Sequence, residues 1–442
     1  MASPRQLRRI DCVGNANNYI LLIALALRDM GIDAHLHLTM GGERDQPEAL
    51  YPEYATNYPA WIHDWRTDKT HLDLRSSPDV VRELCAVLAQ ADGLLLNFDS
   101  VALGSLLAKP CVCVLTGTDL YDFSTPGQLL NSFYGTAGNL SRSDARHYQT
   151  QLLHTLRQRA AIRNACGFTF FPKGLLPKAD AILHNIGVHQ ERRISLMLAD
   201  TVTQTYIPQP FRREMRILYG ARLSWDIGAG DCTELDDKGT DVFLRAFARY
   251  IRSGGKARLR LFRVGARLAE AETMVRELHM ESHVDWCDHL PQHAFNEALE
   301  EADLVVDQTG TSHIGMAVVD AMTKGRPVLA KAPDMALWGI GEDLPICHAA
   351  TEDDICSWLQ RLDGDPALRE RIGLASRAFV EKHWSASIAA QKITHALRFG
   401  EQNTDEVLLW QRYEFAKMRE EWQTNLRIAA SAFPETPSGT RE

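Results

Sequence analysis

The chain has 442 residues, 45% of them hydrophobic, with a formal net charge of −9 at pH 7 and a pI near 6.0. This length is too great for one hydrophobic core and suits two domains. The negative charge argues against a dedicated nucleic-acid-binding protein. Nine cysteines show no C-x-x-C pair or metal-ligand spacing, which is typical of reduced thiols in the cytoplasm. Without a membrane-spanning apolar run or a secretory signal, we expect a cytoplasmic protein, either soluble or peripheral on the inner face of the membrane.

The first predicted unit is a strand, a loop and a helix. Arg9–Val13 is a plausible strand, the loop 14–19 reads GNANNY, and an apolar helix over 20–32 leads into a second strand. This order is typical of an α/β fold. The loop asparagines, among them Asn15 and Asn17, either cap the helix or offer backbone amides to a ligand, and the residues leave both alternatives open.

Two more buried strands are predicted in the segments 92–100 and 109–123. The second strand ends at the sequence TGTD. Because the carboxyl ends of parallel strands face the ligand crevice, Thr118 and Asp119 are candidates for contacts with a substrate. Alternatively, Asp119 caps the next turn, and the pattern fits that role at least as well.

The segment 141–178 is basic and also carries aromatic and leucine residues. A basic helix beside apolar residues is compatible with peripheral contact with an anionic membrane, with a helix packed over a core, or with a site for an acidic substrate. Further on, residues 206–211 read YIPQPF, and the two prolines predict a stiff connector that closes the first domain.

Two cations flank the next strand–loop–helix connection. Arg222 follows a predicted strand, and Lys238 precedes the helix that begins after residue 241. Arginine offers a planar fork and lysine a mobile point charge, so together they can neutralise a departing diphosphate without a metal. The alternative is that both are ordinary solvated loop cations.

A loop and an amphipathic helix follow the apolar strand ADLVV near residue 305. The spacing predicts that the helix starts near Gly315, where unpaired amides and the helix dipole favour a phosphate. Asp320, further along this helix, can accept hydrogen bonds from a ribose hydroxyl. His313 is interpreted either as an ordinary loop histidine or as a sugar contact. The stretch 309–330 is therefore a candidate nucleotide-sugar site.

The succession of these segments resembles the retaining glycosyltransferases of family four, also called glycosyl transferases group 1. The match lies in the second half of the chain. Its elements, in order, are GARL (220–223), KG (238–239) with the helix after it, LRLFRVG (259–265), VDWCDHLP (284–291), ADLVVDQTG (302–310), SHIGMAVVDAMTKGRPVLA (312–330) and the segment 365–392.

The resemblance implies the α/β architecture called GT-B, in which two Rossmann-like doubly wound domains face a cleft. It places an acceptor-binding domain at 1–206, a linker at 207–216, a donor-binding domain at 217–400, helices that return to the first domain at 401–432 and a flexible tail at 433–442.

The resemblance also implies roles for single residues. Arg222 and Lys238 would hold the donor diphosphate, and Asp320 the ribose. Further donor contacts would come from the helix start, the base pocket and the first loop, through Ile314, Gly315, Met316, Trp286, Leu290, Gly14 and Asn15. The acceptor-side candidates are Asn17, Thr118 and Asp119. No cofactor is implied beyond the nucleotide-diphosphate sugar, which is a co-substrate, and no metal is required.

The chain departs from the family pattern at three positions. The family motif has two glutamates eight positions apart, where this chain has Ser312 and Asp320. Aspartate keeps a carboxylate, whereas serine loses the charge that would grip the donor sugar. Thr116 stands where related enzymes carry a histidine or arginine. The loss at 312 suggests an unusual donor, compensation by His313, or a weakened catalyst.

The function implied is transfer of a sugar from a nucleotide-diphosphate donor to an acceptor hydroxyl, with retention and without a metal; Ser312 and His313 are counted with Arg222 and Lys238 as catalytic candidates. The acceptor would be a glycan, a lipid or a small molecule, and nucleic acid is not expected as a partner. The alternatives are a GT-B enzyme of another class, such as a sugar-nucleotide epimerase or phosphorylase, and a catalytically impaired nucleotide-sugar-binding protein.

Overall fold

A computed structural model describes residues 4–125, 142–201, 204–208, 212, 214–226 and 237–401. Within these ranges, two fully parallel β-sheets form the centres of two domains. The predicted α/β class and the two doubly wound domains are thereby confirmed.

The first domain is built on a seven-stranded sheet with the order β3-β2-β1-β4-β5-β6-β7. Its strands are β1 Arg9–Val13, β2 Asp33–Leu38, β3 Ile62–Asp64, β4 Gly93–Asn97, β5 Cys111–Val114, β6 Gly167–Thr169 and β7 Arg193–Ile194. Its helices are α1 Tyr19–Asp29, α2 Pro78–Leu88, α3 Thr118–Tyr121, α4 Arg142–Asn164 and α5 Pro177–Ile186.

The second domain has a six-stranded sheet with the order β10-β9-β8-β11-β12-β13. Its strands are β8 Met215–Tyr219, β9 Ala257–Phe262, β10 Val284–Cys287, β11 Leu304–Val306, β12 Val328–Ala330 and β13 Cys347–His348. The helices that follow β8 are α6 Thr240–Arg252, α7 Leu268–Glu277, α8 Gln292–Glu301, α9 Met316–Thr323, α10 Glu352–Gly364, α11 Pro366–His383 and α12 Ala386–Phe399.

Both sheets reverse their strand order beside the first strand of the domain. β1 lies between β2 and β4, and β8 lies between β9 and β11. In such open sheets, ligands bind in the crevice outside the carboxyl ends of the strands at this switch point. The fold therefore directs attention to the loops after β1, β4, β8 and β11.

Each domain has its own apolar core. On α6, the side chains of Phe243, Phe247 and Tyr250 recur at helical spacing and are almost fully buried against Tyr219 of β8. Burial of each large side chain stabilises the fold by about 1.5–3 kcal/mol. The helix that follows the candidate loop of Lys238 is thus packed firmly on the sheet.

Helix α12 returns to the first domain. Its residues Ala389, Ala390, Ile393 and Leu397 share one apolar cluster with α1. The crossing occurs just before the helix, where the amide of Ala199 donates a hydrogen bond to the carbonyl oxygen of Trp384 at 2.8 Å. The predicted boundary of the second domain at residue 400 was therefore too late, because an amphipathic helix does not show which domain it packs on.

The remaining boundary predictions are tested only in part. β8 begins at Met215, so the predicted linker 207–216 includes the first two residues of that strand. Arg377 of α11 holds the connection, since its guanidinium donates to the carbonyl oxygens of Thr201 and Gln204. The returning helices predicted at 401–432 and the tail at 433–442 lie outside the described residues, except for residue 401.

Candidate functional site

Two adjoining cavities lie at the switch point of the second sheet, where it faces the first domain. Their volumes are about 310 Å³ and 280 Å³. Both cavities are lined by the same four residues of the second domain, namely Arg222, Lys238, Gly315 and Met316. The structure thus brings together the two predicted cations and the predicted helix start. We call the larger space the nucleotide cavity and the smaller one the interdomain cavity.

The loop that carries Lys238 is fixed through its backbone. The amide of Lys238 donates to the carbonyl oxygen of Ser224 at 3.0 Å, and the Lys238 carbonyl accepts from the amide of Thr309 at 3.0 Å. Gly239 has φ +63°, and a Cβ there would lie 2.5 Å from the amide nitrogen of Gly310. Only glycine fits this close approach, so the Lys-Gly pair places the ammonium group between the loops after β8 and β11.

The ammonium group of Lys238 is oriented by two polar side chains. Its Nζ donates to Oε1 of Gln308 at 2.6 Å and lies 3.3 Å from Nε2 of His313. Since an ammonium group can only donate, Nε2 must accept, and the His313 proton must sit on Nδ1, 2.9 Å from the hydroxyl of Thr311. With Lys238 only 8% exposed, the result is a fixed positive charge at the cavity wall.

Helix α9 begins as predicted, with Gly315 as its N-cap and Met316 as its first residue. Gly315 has no side chain that could cap the helix, so within the described residues the amides of Met316 and Ala317 remain for a ligand or water, whereas the amide of Val318 donates to the carbonyl oxygen of Gly315 at 3.2 Å. The loop after β8 approaches closely, because a Cβ on Gly220 would lie 2.8 Å from Cβ of Ala317. The cavity therefore has a positive helix end opposite Arg222.

The far wall of the nucleotide cavity is apolar and partly supplied by the first domain. Phe262, Leu290 and Phe295 line it, as does Arg44 of the first domain. Arg44 Nη2 lies 3.1 Å from Nε2 of His289, which joins the two domains over the cavity. Leu290, which the resemblance assigns to the base pocket, thus lies in the cavity wall.

Trp286 is not placed as predicted. Its ring packs against the core of the second domain, and Cζ of Arg263 lies 5.5 Å from the ring centroid. Trp286 does not line the nucleotide cavity. Trp286 lies inside strand β10, whereas the cavity lies beyond the carboxyl ends of the strands.

Asp320, which the resemblance assigns to the ribose, lines the nucleotide cavity. Burial raises the pKa of its carboxyl to about 7, although the positive charge of Lys324 opposes this rise. Gln292 and Arg44 also favour the ionised form, whereas Asp200 disfavours it. The carboxyl therefore titrates near neutrality, and a ligand hydroxyl that donates to it would favour its ionised form.

Asp307 is a residue that the sequence analysis missed. It directly follows β11, is 3% exposed and lines the nucleotide cavity. Burial raises the pKa of its carboxyl, and the charge of Lys238 opposes that rise. The signal available in the sequence was an acidic residue at the end of a buried apolar strand next to the switch point.

The first loop is occupied by its own hydrogen bonds. The Asn15 side chain is fully buried, donates to Asn18 Oδ1 at 2.6 Å and accepts from the amide of Leu21 at 2.9 Å. Gly14 has φ +82° and lies against Asn97, where a Cβ would meet the carbonyl oxygen at 2.6 Å. Neither residue lines a cavity, so the prediction of donor contacts by Gly14 and Asn15 is corrected in favour of the capping alternative.

The acceptor-side predictions are also corrected in part. Asp119 is fully buried, and its carboxylate accepts from the amides of Thr116 and Gly117 at 2.8–2.9 Å, which is the turn-capping alternative. Burial raises its pKa to about 6. Thr118 is exposed but lies outside both cavity linings. Asn17 does line the interdomain cavity, beside Thr116 and Tyr19.

The two remaining catalytic candidates separate. His313 lines the interdomain cavity, whereas Ser312 lines neither cavity.

The basic segment 141–178 has a structural role where its side chains are described. Arg159 of α4 is 8% exposed and donates to the carbonyl oxygens of Ser124 and Asn185, which supports a helix packed over a core. Within the described ranges, no helix has the length and apolar character needed to cross a membrane.

Comparisons with known proteins identify the fold and one matched segment of the chain. Residues 229–340 match the family model for glycosyl transferases group 1. HepE of Anabaena, solved with UDP and glucose, is 15% identical, with a TM-score of 0.54 over 89% of this chain and 99% of its own. The sucrose-phosphate synthase of Thermosynechococcus elongatus is 13% identical, with a TM-score of 0.53 over 88% of this chain and 98% of its own. A glycosyltransferase of Rickettsia africae is 10% identical, with a TM-score of 0.54 over 91% of this chain and 99% of its own. No curated protein matches the chain.

The class of protein is therefore defined by the fold and the matched segment together. The chain has the GT-B fold, and the part of it that carries Lys238, Gly315 and Asp320 matches the group 1 family. The predicted resemblance to glycosyl transferases group 1 is thereby confirmed over residues 229–340.

Proposed function

We propose that this protein transfers a sugar from a nucleoside-diphosphate donor to an acceptor hydroxyl, with retention of anomeric configuration and without a metal ion. The observation that carries the proposal is the convergence of Arg222, Lys238 and the start of α9 on one cavity at the switch point. A guanidinium, an ammonium and a helix N-terminus are the groups that stabilise developing charge on a departing diphosphate.

The nucleotide would occupy the larger cavity. Its base would lie against Phe262, Leu290 and Phe295, and its ribose near Asp320. The diphosphate would then extend toward Lys238 and the amide end of α9, which both border the second cavity. This arrangement would direct the glycosidic bond toward the first domain.

The acceptor would enter the interdomain cavity. Most of its lining from the first domain is apolar, including Ile23, Phe170 and Phe171, with the polar groups of Asn17 and Tyr19 at the same wall. Such a lining suits an acceptor with an apolar portion that presents a hydroxyl, in keeping with a glycan, lipid or small-molecule acceptor. Retention is part of the proposal because attack from this side meets the face that the diphosphate leaves.

Calorimetric binding of UDP, GDP, ADP and TDP to the wild-type chain and to Arg222→Ala tests the donor site. We expect saturable binding of one nucleotide, weakened roughly 10- to 100-fold in the variant, because a charge-assisted hydrogen bond is lost. Binding of none of the four would remove the proposal. Nucleotide release that depends on an added acceptor, with and without EDTA, then tests transfer and the independence from metal.

The same assay separates the alternatives. An epimerised free sugar without an acceptor would indicate the epimerase class. Nucleotide binding without turnover in any acceptor pool would indicate an impaired binding protein, for which the serine at position 312 is the specific observation. Determination of the anomeric configuration of the product by NMR decides between retention and inversion.

A further inference from the structure

Asp307 is an unusual group in the nucleotide cavity. It directly follows β11, whose three residues, Leu304–Val306, are fully buried, and its side chain lines the cavity. Oδ2 is buried and has no hydrogen-bond partner within the described residues. A buried acceptor without a partner destabilises the free protein, so a group brought by a ligand is the natural partner.

The direction of the carboxylate is fixed by its neighbour at the helix start. A Cβ on Gly315 would lie 2.5 Å from Oδ2 of Asp307, so this oxygen occupies the space that the missing side chain leaves. Gly315 also lines both cavities. Asp307 thus presents an acceptor next to the amides of α9, at the point where the phosphates and the attached sugar of a donor would meet.

We propose that Asp307 accepts a hydrogen bond from a hydroxyl group of the bound nucleotide sugar, either on the ribose or on the transferred sugar. This inference rests on the function proposed above. The chemistry of the partner follows from the charges: a carboxylate repels phosphate oxygens, whereas a sugar hydroxyl can donate to it. Arg222 and Lys238 remain for the phosphates.

The count of carboxylates in the two cavities supports this assignment. Within the described residues, Asp307 and Asp320 are the carboxylates that line the nucleotide cavity, and none lines the interdomain cavity. Asp320 sits further along α9 and is assigned to the ribose. Asp307 is then left for a second hydroxyl, either another hydroxyl of the ribose or one of the transferred sugar.

Calorimetry of Asp307→Asn with the nucleoside diphosphate that binds the wild type, and with its glucose conjugate, distinguishes these sources. Asparagine keeps the shape and removes the charge, so we expect roughly 5- to 10-fold weaker binding. A loss confined to the glucose conjugate would assign the hydroxyl to the transferred sugar, and an equal loss for both ligands would assign it to the ribose. Unchanged affinity for both ligands would overturn the inference while leaving the donor site in place.

Thermal unfolding of the same variant without ligand separates binding from a merely structural role. Removal of an unpartnered buried charge should raise the Tm, whereas loss of a structural contact would lower it together with the affinity. Asp303→Asn is the matched control, because Asp303 is a buried aspartate before the same strand whose Oδ1 also lacks a hydrogen-bond partner within the described residues, but whose Oδ2 accepts from the amide of Arg216 at 2.8 Å and lies 3.6 Å from the guanidinium of Arg212, and which lines neither cavity. We expect Asp303→Asn to lower the Tm and leave both affinities unchanged. If the wild type binds neither ligand, the proposed function fails and this inference with it.

Discussion

Two loops at strand ends, one in each domain, use a buried carboxylate in different ways. After β5, the carboxylate of Asp119 is fully buried and satisfied by the amides of its own turn. After β11, the carboxylate of Asp307 is equally buried, yet one oxygen lacks a partner within the described residues and faces a cavity. Asp119 thus stabilises its own loop, whereas Asp307 leaves one acceptor facing a cavity.

The fixed lysine of the second domain should give the largest effect. Lys238→Met removes the ammonium group while keeping most of the side-chain volume. We expect nucleotide affinity to fall by roughly 10- to 100-fold or more, because hydrogen bonds to charged phosphate oxygens contribute about 1.5–3 kcal/mol each. Calorimetry with the nucleotide that binds the wild type measures this loss.

The control for this variant is Lys256→Met. Lys256 is exposed just before β9, at the amino-terminal ends of the strands and thus away from the cavities, so its loss should leave the affinity unchanged. Similar affinity of Lys238→Met and the wild type would show that the buried ammonium group orients the loop and does not meet the phosphates.

Asp119, a buried carboxylate of the first domain, should affect the stability of the fold and not the affinity for nucleotide. Asp119→Ala leaves the amides of Thr116 and Gly117 without an acceptor, and a buried unsatisfied donor costs about 1–3 kcal/mol. We therefore expect a lower free energy of unfolding in urea and an unchanged affinity for nucleotide. A loss of nucleotide affinity at unchanged stability would contradict the capping role and restore Asp119 to the site.

This contrast explains how far the sequence could be interpreted. In the second domain, the positions of the site loops could be predicted from backbone requirements. Gly239 and Gly315 are needed where the chain approaches other groups closely, so the position of Lys238 and the start of α9 were predictable. In the first domain, Asn15 and Asp119 stand at strand ends, where the same side chains serve as caps and as ligand contacts. Only the packed structure distinguishes the two uses.

The elements that the sequence analysis placed wrongly or missed have a common cause. Periodicity assigns a side chain to a face, but it does not show what covers that face. Helix α12 was given to the second domain although it packs on α1, and Trp286 was given to the base pocket although it packs on the core. No sequence motif marks Asp307 as a site residue, because the position of its carboxylate depends on the space next to Gly315, where a side chain is missing.

A moderate effect is expected from pH through Asp320. Burial raises the pKa of this carboxyl to about 7 in the free protein. A ribose hydroxyl that donates to the carboxylate favours the ionised form, so binding lowers this pKa, and affinity should rise as pH increases from about 6 to 8. The rise is about tenfold for each unit by which binding lowers the pKa.

Asp320→Asn isolates this contribution, since other groups also titrate in the same range, including the ligand phosphate. Calorimetric titrations of both proteins across this pH interval should show a steeper rise for the wild type. Parallel profiles would mean that Asp320 does not meet the ribose.

The smallest effect should come from the contact that joins the domains. Arg44 of the first domain and His289 of the second lie 3.1 Å apart over the nucleotide cavity, and both side chains are exposed. Exposed polar contacts contribute little, so Arg44→Ala should weaken nucleotide binding by only about two- to fivefold. Because Arg44 also favours the ionised form of Asp320, the variant should bind relatively better at higher pH. If Arg44→Ala instead abolished binding, the first domain would hold the donor directly, and the division of roles between the two domains would have to be abandoned.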